Sequence, residues 1–344
     1  MDVQKAAGIL KEGGIVAFPT ETVYGLGADA MNAKAVCRVF EIKKRPAFDP
    51  LIVHISDMKQ TLQLWSETPA LAQSLMREFW PGPLTIVLPK SEKVLDVVTA
   101  GLSTVAVRMP NHPLALDLLK TFGGPIAAPS ANLFGYTSGT TAEAVREDFG
   151  DSVDFILDAG PSTIGVESTV VKIEDGKLVM LRPGGVSVEQ LKKFAPVVQR
   201  SAPARPESPG QLESHYAPWT SFSLMDSPLP EFLKKLEALH KDTEKKEGVA
   251  WPRIGLLLFS QKKDIPFVES IEVLTEKKDP VEAASKLFQA IRKLDKMHLD
   301  WIAAEPVSEE GIGLAIMDRL RKASAGKLTF RDILKDHGTH EHDK

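Results

Sequence analysis

Five basic side chains sit where this sequence could hold an anion: Lys43, Lys44 and Arg45 in one cluster, Arg108 in the run TVAVR, and Arg182 in LRPG. Arginine's planar fork and lysine's point charge recognise phosphate and carboxylate in different ways. Near them in the sequence stand hydroxyl-rich strings: PTETVYGLG (19–27), PSANLFGYTSGT (129–140) and GVEST (165–169). No nucleophile–base pair stands out, no HxxxH or HExxH metal spacing occurs, and there is no P-loop. Such a set suits the binding of anionic groups and the stabilisation of charge rather than covalent catalysis.

Each string carries two readings. PTETVYGLG follows an apolar run and gathers Thr20, Glu21, Thr22 and Tyr24 at a strand end, where α/β proteins place ligands. A turn capped by Thr20 or Thr22 accounts for the same residues. The basic cluster closes a helical pattern at 33–43, so it either complements the helix dipole or clamps phosphate. His54, inside the apolar run 50–55, reads as a core residue. Thr104 and Arg108 flank VAV in a strand-like run, and Arg108 requires an anion from protein or ligand. Ser130, Asn132, Thr137 and Ser138 line a Gly/Ser-rich loop that enters a helix near 141. It reads as a structural loop with Thr141 as N-cap, or as an anion cradle backed by a helix start. Ser168 and Arg182 repeat the theme at later strand ends. Gly25-Leu26-Gly27 matches part of a dinucleotide fingerprint, but six residues separate it from the preceding strand. Its glycines read instead as a turn with positive φ approaching a ligand or a neighbouring strand. Cys37 reads as core.

The elements that must position these groups follow from pattern. The 344 residues, 43% hydrophobic and 26% charged, suit two globular domains. Strand-like runs at 14–18, 50–55, 84–89, 105–109, 125–130, 155–160, 168–173 and 178–184 alternate with helical patterns at 33–43, 70–79, 112–121 and 141–149. They predict an α/β domain over 1–198 with a twisted, largely buried open sheet and flanking helices. A proline-rich linker spans 199–220. Residues 221–334 predict a smaller, Rossmann-like α/β domain with helices at 230–240, 280–297 and around 313–323 and strands at 254–259, 271–274 and 299–304. A polar tail occupies 335–344. The net charge is −4, with 19 basic against 22 acidic residues in 1–198, so no global basic signature points to nucleic acid. The single cysteine excludes an internal disulfide or a cysteine-built zinc site and makes a cytoplasmic location the expectation. No apolar run approaches the ~20 residues of a membrane span.

Taken in order, PTETVYGLG, KKRPAFDPLIVH, FWPGPLTIVLP, VAVRMP, APSANLFG, GVESTVV and LRPG resemble the YrdC-type domain of the threonylcarbamoyl-AMP synthases. The strings SPGQLESHYAP and 311–324 resemble the longer, two-domain members. The resemblance implies a reaction in which L-threonine, bicarbonate or CO2, and ATP with Mg²⁺ give threonylcarbamoyl-AMP and pyrophosphate. Downstream enzymes would transfer the group to tRNA adenosine. It also implies catalytic roles for Lys43, Arg45, Ser130 and Asn132. Threonine would be bound by Thr22, His54, Arg108 and Ser168, with Arg108 on its carboxylate. ATP would be bound by Arg45, Thr104, Ser130, Ser138, Arg182 and Tyr216. Asp49 stands where many members have Asn, in an ATP-contacting position where a carboxylate repels phosphate. Where relatives often read PGMKYRHYAP, this chain reads PGQLESHYAP, lacking that Lys and Arg but keeping His215 and Tyr216 as a lid over the site. The alternative is an RNA-binding or ribosome-maturation module without catalysis. A hydrogenase-maturation carbamoyltransferase needs zinc-finger cysteines that one cysteine cannot supply.

Overall fold

A computed structural model of the protein describes residues 2–199, 206–245, 249–261, 264–328, 330 and 333. It resolves into two compact units. The first comprises residues 1–134, 138–213 and 310–315; the second comprises 135–137, 214–309 and 316–344. The proline-rich segment is thus divided, 206–213 belonging to the first unit and 214–220 to the second, while 200–205 and the tail 335–344 lie outside the described residues.

The first unit is built on a ten-stranded sheet. Its strands are β1 (Val16–Phe18), β2 (Gly25–Asp29), β3 (Ile52–His54), β4 (Leu84–Pro89), β5 (Thr104–Arg108), β6 (Ile126–Ala127), β7 (Phe155–Ile156), β8 (Thr169–Glu174), β9 (Lys177–Arg182) and β10 (Val197–Gln199). They lie in the order β10-β9-β8-β4-β5-β3-β6-β2-β1-β7, with parallel pairs β1–β7, β3–β5, β4–β8 and β9–β10 among antiparallel ones. Alternation along the strands covers both faces. Leu84, Ile86, Leu88, Val105 and Val107 enter one apolar cluster, while Val87 and Ala106 enter another. In and just before β1, Ile15 and Ala17 pack with Tyr24 and Val39, whereas Val16 and Phe18 pack with Leu10 and Leu118.

Two expectations are corrected here. Gly25–Asp29 is a strand, paired with β1 and β6, rather than a turn, and neither of its glycines has positive φ. Glycine is required for close approach: a Cβ on Gly27 would lie 2.8 Å from both Ile126 Cγ2 and the Phe18 ring. Cys37 is exposed rather than core, because Ala35, Val36, Val39 and Phe40 define the buried stripe of helix Ala33–Lys43.

The second unit contains four parallel strands, β11 (Ser221–Leu224), β12 (Ile254–Leu258), β13 (Ser270–Val273) and β14 (Trp301–Ala304), ordered β11-β14-β12-β13. Helices Leu229–Thr243 and Pro280–Asp295 connect them, as an all-parallel sheet requires, and helix Gly313–Ser324, of which residues from Ile316 onward belong to this unit, follows β14. The strand at 221–224 was not anticipated: SFSL is short and half polar, and it forms by pairing with β14. Among the described residues no helix is long and apolar enough to cross a membrane.

Candidate active site

The buried cations of the first unit come from four elements. Helix Ala33–Lys43 is started by Asn32, whose side chain accepts from the amides of Lys34 and Ala35 at 3.1 and 3.2 Å, and is closed by Lys44 in a left-handed conformation. Its last residue, Lys43, is 1% exposed. The Lys43 ammonium donates to the carbonyls of Ser130 (2.8 Å) and Asn132 (2.6 Å) and to Asn132 Oδ1 (3.2 Å). Burial, and then the neighbouring Arg45 charge, push its pKa well below the ordinary lysine value.

Arg45 donates to the carbonyls of Asp49 (3.0 Å) and Pro50 (2.8 Å), and its Nη2 lies 2.9 Å from Asp49 Oδ2. The Asp49 carboxylate is fully buried, and that burial raises its pKa against the opposing pull of Arg45, Lys43 and Arg182. Three cations therefore act on one buried carboxylate. Asp49, which the family resemblance implies as an ATP contact, has its carboxylate beside Arg45. Arg182, at the end of β9, donates to the Ser168 carbonyl (3.1 and 3.0 Å), to Ser168 Oγ (3.2 Å) and to the carbonyl of Pro209 in the linker (3.2 Å). Gly184 lets the chain pass close by: a Cβ there would sit 2.2 Å from the Glu167 carbonyl oxygen.

The second group surrounds Arg108, at the end of β5. Its guanidinium donates to Thr22 Oγ1 (2.8 Å) and to the Gly82 carbonyl (3.2 Å), and lies 2.5 Å from Glu21 Oε1. The Glu21 pair is close in distance but outside hydrogen-bond alignment. His54 lies level with Arg108 in the β3–β5 register, 4% exposed, with its ring edge-on to Phe18. Burial, with Arg108 adding to it, drives the His54 pKa down to about 3, so the imidazole is neutral at ordinary pH.

In PTETVYGLG the capped-turn reading holds for Thr20. Thr20 caps the turn, accepting from the amides of Thr22 and Val23, while Thr22 faces Arg108. Tyr24 leaves the group to donate to the Gly160 carbonyl at 2.8 Å. Thr141 is the expected N-cap. Ser138 donates to Glu167, and Ser168 shares a 2.7 Å hydrogen bond with Thr85.

Glu167 and Thr85 have no role in the expected site, and Glu21 enters it only as one of the polar residues of its string. The available signals were a carboxylate within each hydroxyl-rich string and a threonine interrupting an apolar strand. Thr104 opens β5 and Arg108 closes it, so ~13 Å of strand separates them. In the β4–β5 register Thr104 lies level with Pro89. Tyr216 lies in the second unit, 1% exposed. There its ring packs against His215 and Phe288 and under the Arg319 guanidinium.

Fold and site together define an α/β protein whose first unit holds several buried cations and whose second unit is a small parallel α/β body. Residues 8–184 match the family described as "Telomere recombination", and residues 186–325 match "Threonylcarbamoyl-AMP synthase, C-terminal domain". The chain is 44% identical to the threonylcarbamoyl-AMP synthase of Pyrococcus abyssi, over 95% of each chain. It is 42% identical to that of Bacillus subtilis, over 95% of this chain and 94% of the relative. A crystal structure of P. abyssi Sua5 complexed with L-threonine matches with a TM-score of 0.85 at 43% identity, covering 94% of both chains. The chain belongs to the two-domain threonylcarbamoyl-AMP synthase family, a family of enzymes.

Proposed function

We propose that the protein makes threonylcarbamoyl-AMP and pyrophosphate from L-threonine, bicarbonate or CO2, and MgATP, supplying enzymes that modify tRNA adenosine. The observation that carries this reading is that Lys43, Arg45 and Arg182 are all buried at element ends, Lys43 held by the Ser130 and Asn132 oxygens, Arg45 beside Asp49 and Arg182 on Ser168, while Arg108 and Thr22 are hydrogen-bonded to each other with His54 level with Arg108. The first set is a place for a polyphosphate, the second for one carboxylate. Arg45, Thr104, Ser130, Ser138 and Arg182 hold ATP. Thr22, His54, Arg108 and Ser168 hold threonine.

The threonine amine adds to the carbon of CO2 and loses a proton, giving a carbamate. A carbamate oxygen attacks the α-phosphorus, the bond from that phosphorus to the bridging oxygen breaks, and pyrophosphate leaves with the electron pair. Lys43 and Arg45 offset the charge that develops, and positioning supplies most of the remaining acceleration. Mg²⁺ comes with ATP as part of the substrate, held by phosphate oxygens and water. Among the described residues no group of three or more His, Cys, Asp or Glu side chains could hold a metal ion. A cytoplasmic location belongs to the same reading, resting on the lone, exposed Cys37.

The test is pyrophosphate release from ATP measured with and without threonine and bicarbonate. Release that needs both supports the synthase. ATP turnover indifferent to threonine, or RNA binding with no turnover, overturns it.

A further inference from the structure

The loop that carries Asn132 and Ser138 is held from two sides. Within the first unit, the Ala131 amide donates to the Tyr24 carbonyl (2.7 Å) and the Phe134 amide to the Lys43 carbonyl (3.0 Å). The Tyr24 amide donates to the Gly139 carbonyl at 2.9 Å. The three residues between, 135–137, pack in the second unit instead.

Their partners there centre on Asp295. This carboxylate ends helix Pro280–Asp295 and is only 8% exposed, a position that opposes the helix dipole and costs desolvation. Three hydrogen bonds offset that cost. The Tyr136 hydroxyl donates at 2.8 Å, and the amides of Trp219 and Thr220 donate at 3.1 and 2.8 Å. One turn earlier, Arg292 lies 4.6 Å from the centre of the Tyr136 ring and donates to the Thr137 carbonyl at 2.7 Å. The Tyr136 and Trp219 rings stack at 5.3 Å, and the Ala217 amide donates to the Gly135 carbonyl at 2.8 Å. Lys327 takes the Pro218 carbonyl at 2.8 Å. The centre of the loop and the end of the linker are therefore bonded to each other and to one carboxylate.

We propose that Asp295, with Arg292, is a positioning residue for the synthase reaction, fixing residues 135–137 and 217–220 as one clamp so that Asn132 and Ser138 hold their nucleotide-binding geometry. This rests on the functional reading above. Asp295 acts through Tyr136 and the linker amides. Its effect falls on the nucleotide side, because Thr22, His54 and Arg108 sit on other elements.

Asp295→Asn and Tyr136→Phe test it in the full-length chain. The second variant removes one hydroxyl while keeping the ring stacked on Trp219. Hydrogen exchange of the amides across 130–139 reads the clamp directly, and both variants should exchange faster there than wild type. In pyrophosphate release, Asp295→Asn should raise the KM for ATP and lower kcat, together by about tenfold or more in kcat/KM, since misplacement of about 1 Å can cost up to ~100-fold. The KM for threonine should stay at the wild-type value. A merely structural role would shrink the active fraction and leave both KM values alone. Wild-type exchange across 130–139 together with a wild-type KM for ATP in both variants overturns the proposal. If the wild-type chain releases no pyrophosphate at all, the functional reading fails on its own and the exchange experiment still decides the clamp.

Discussion

Lys43 and Arg108 are both buried cations in the first unit, held in opposite ways. Lys43 is satisfied by three neutral oxygens, and burial, then Arg45, hold its pKa well below the ordinary lysine value. Arg108 has a protein carboxylate, Glu21, within 2.5 Å. An anion reaching Lys43 relieves an unfavourable charge, so binding and charge stabilisation reinforce each other there. An anion reaching Arg108 has to compete with Glu21. The difference teaches that two cations buried in one unit can be accommodated by neutral oxygens in one place and by a nearby protein carboxylate in the other.

Removing the Lys43 charge should break the comparison hardest. Lys43→Met, which keeps the linear stem, should lower kcat for pyrophosphate release by about 10²–10³-fold, the range for deleting one charge-stabilising donor. Circular dichroism should show an intact fold, and a variant within about threefold of wild type would erase the contrast. Glu21→Gln probes the other pocket. It leaves Arg108 buried without its counter-ion, so the free protein should lose about 1–3 kcal/mol in urea melts. The KM for threonine should fall, and added threonine should restore stability more than it does in wild type. A higher KM would mean that Glu21 orients Arg108 rather than competing for it. Asp49→Asn relieves the phosphates of a buried carboxylate and keeps a polar group beside Arg45. It should tighten ATP binding by about tenfold, or ~1.4 kcal/mol, in titration with a non-hydrolysable analogue; weaker binding would assign Asp49 to holding Arg45 in place.

Which parts were legible in advance follows from how each was encoded. Helix Ala33–Lys43 carries its limits locally, in the Asn32 cap, the stripe Ala35, Val36, Val39 and Phe40, and the proline after Arg45, so pattern alone marks both ends. Strand Gly25–Asp29 carries no such code. GLGAD lacks branched residues, and it extends because Phe18 and Ile126 fill the space its glycines leave. Cys37 misled because cysteine is commonly buried, while its position on the helix pointed to solvent. In the site, arginines and hydroxyls announced themselves by type. Glu21 did not, since its partner Arg108 is remote in sequence and a lone carboxylate in a threonine-rich string reads as turn chemistry. The split of 135–137 from its flanking residues was equally hidden, as Tyr136 finds Asp295 only through tertiary packing.

The smallest effect tests the Arg108 side through its neighbour. His54 titrates at about 3 in the folded chain, against about 6.5 when unfolded, so the unfolded state binds the proton first as pH falls. Its contribution to stability is therefore whole above about pH 6.5 and declines at ~1.4 kcal/mol per unit toward about pH 3. Between about pH 7 and about pH 5.5, wild type should lose roughly 1.2 kcal/mol more than His54→Gln, which cannot titrate, as read by urea melts at both values. Equal losses would mean that His54 keeps an ordinary pKa and that the Arg108 charge does not reach it. In the Glu21→Gln background, where Arg108 has no carboxylate beside it, the guanidinium should press harder on the imidazole. The His54 pKa should then fall further, ring resonances should stay those of the neutral form to lower pH, and the two halves of the pocket would be coupled through Arg108.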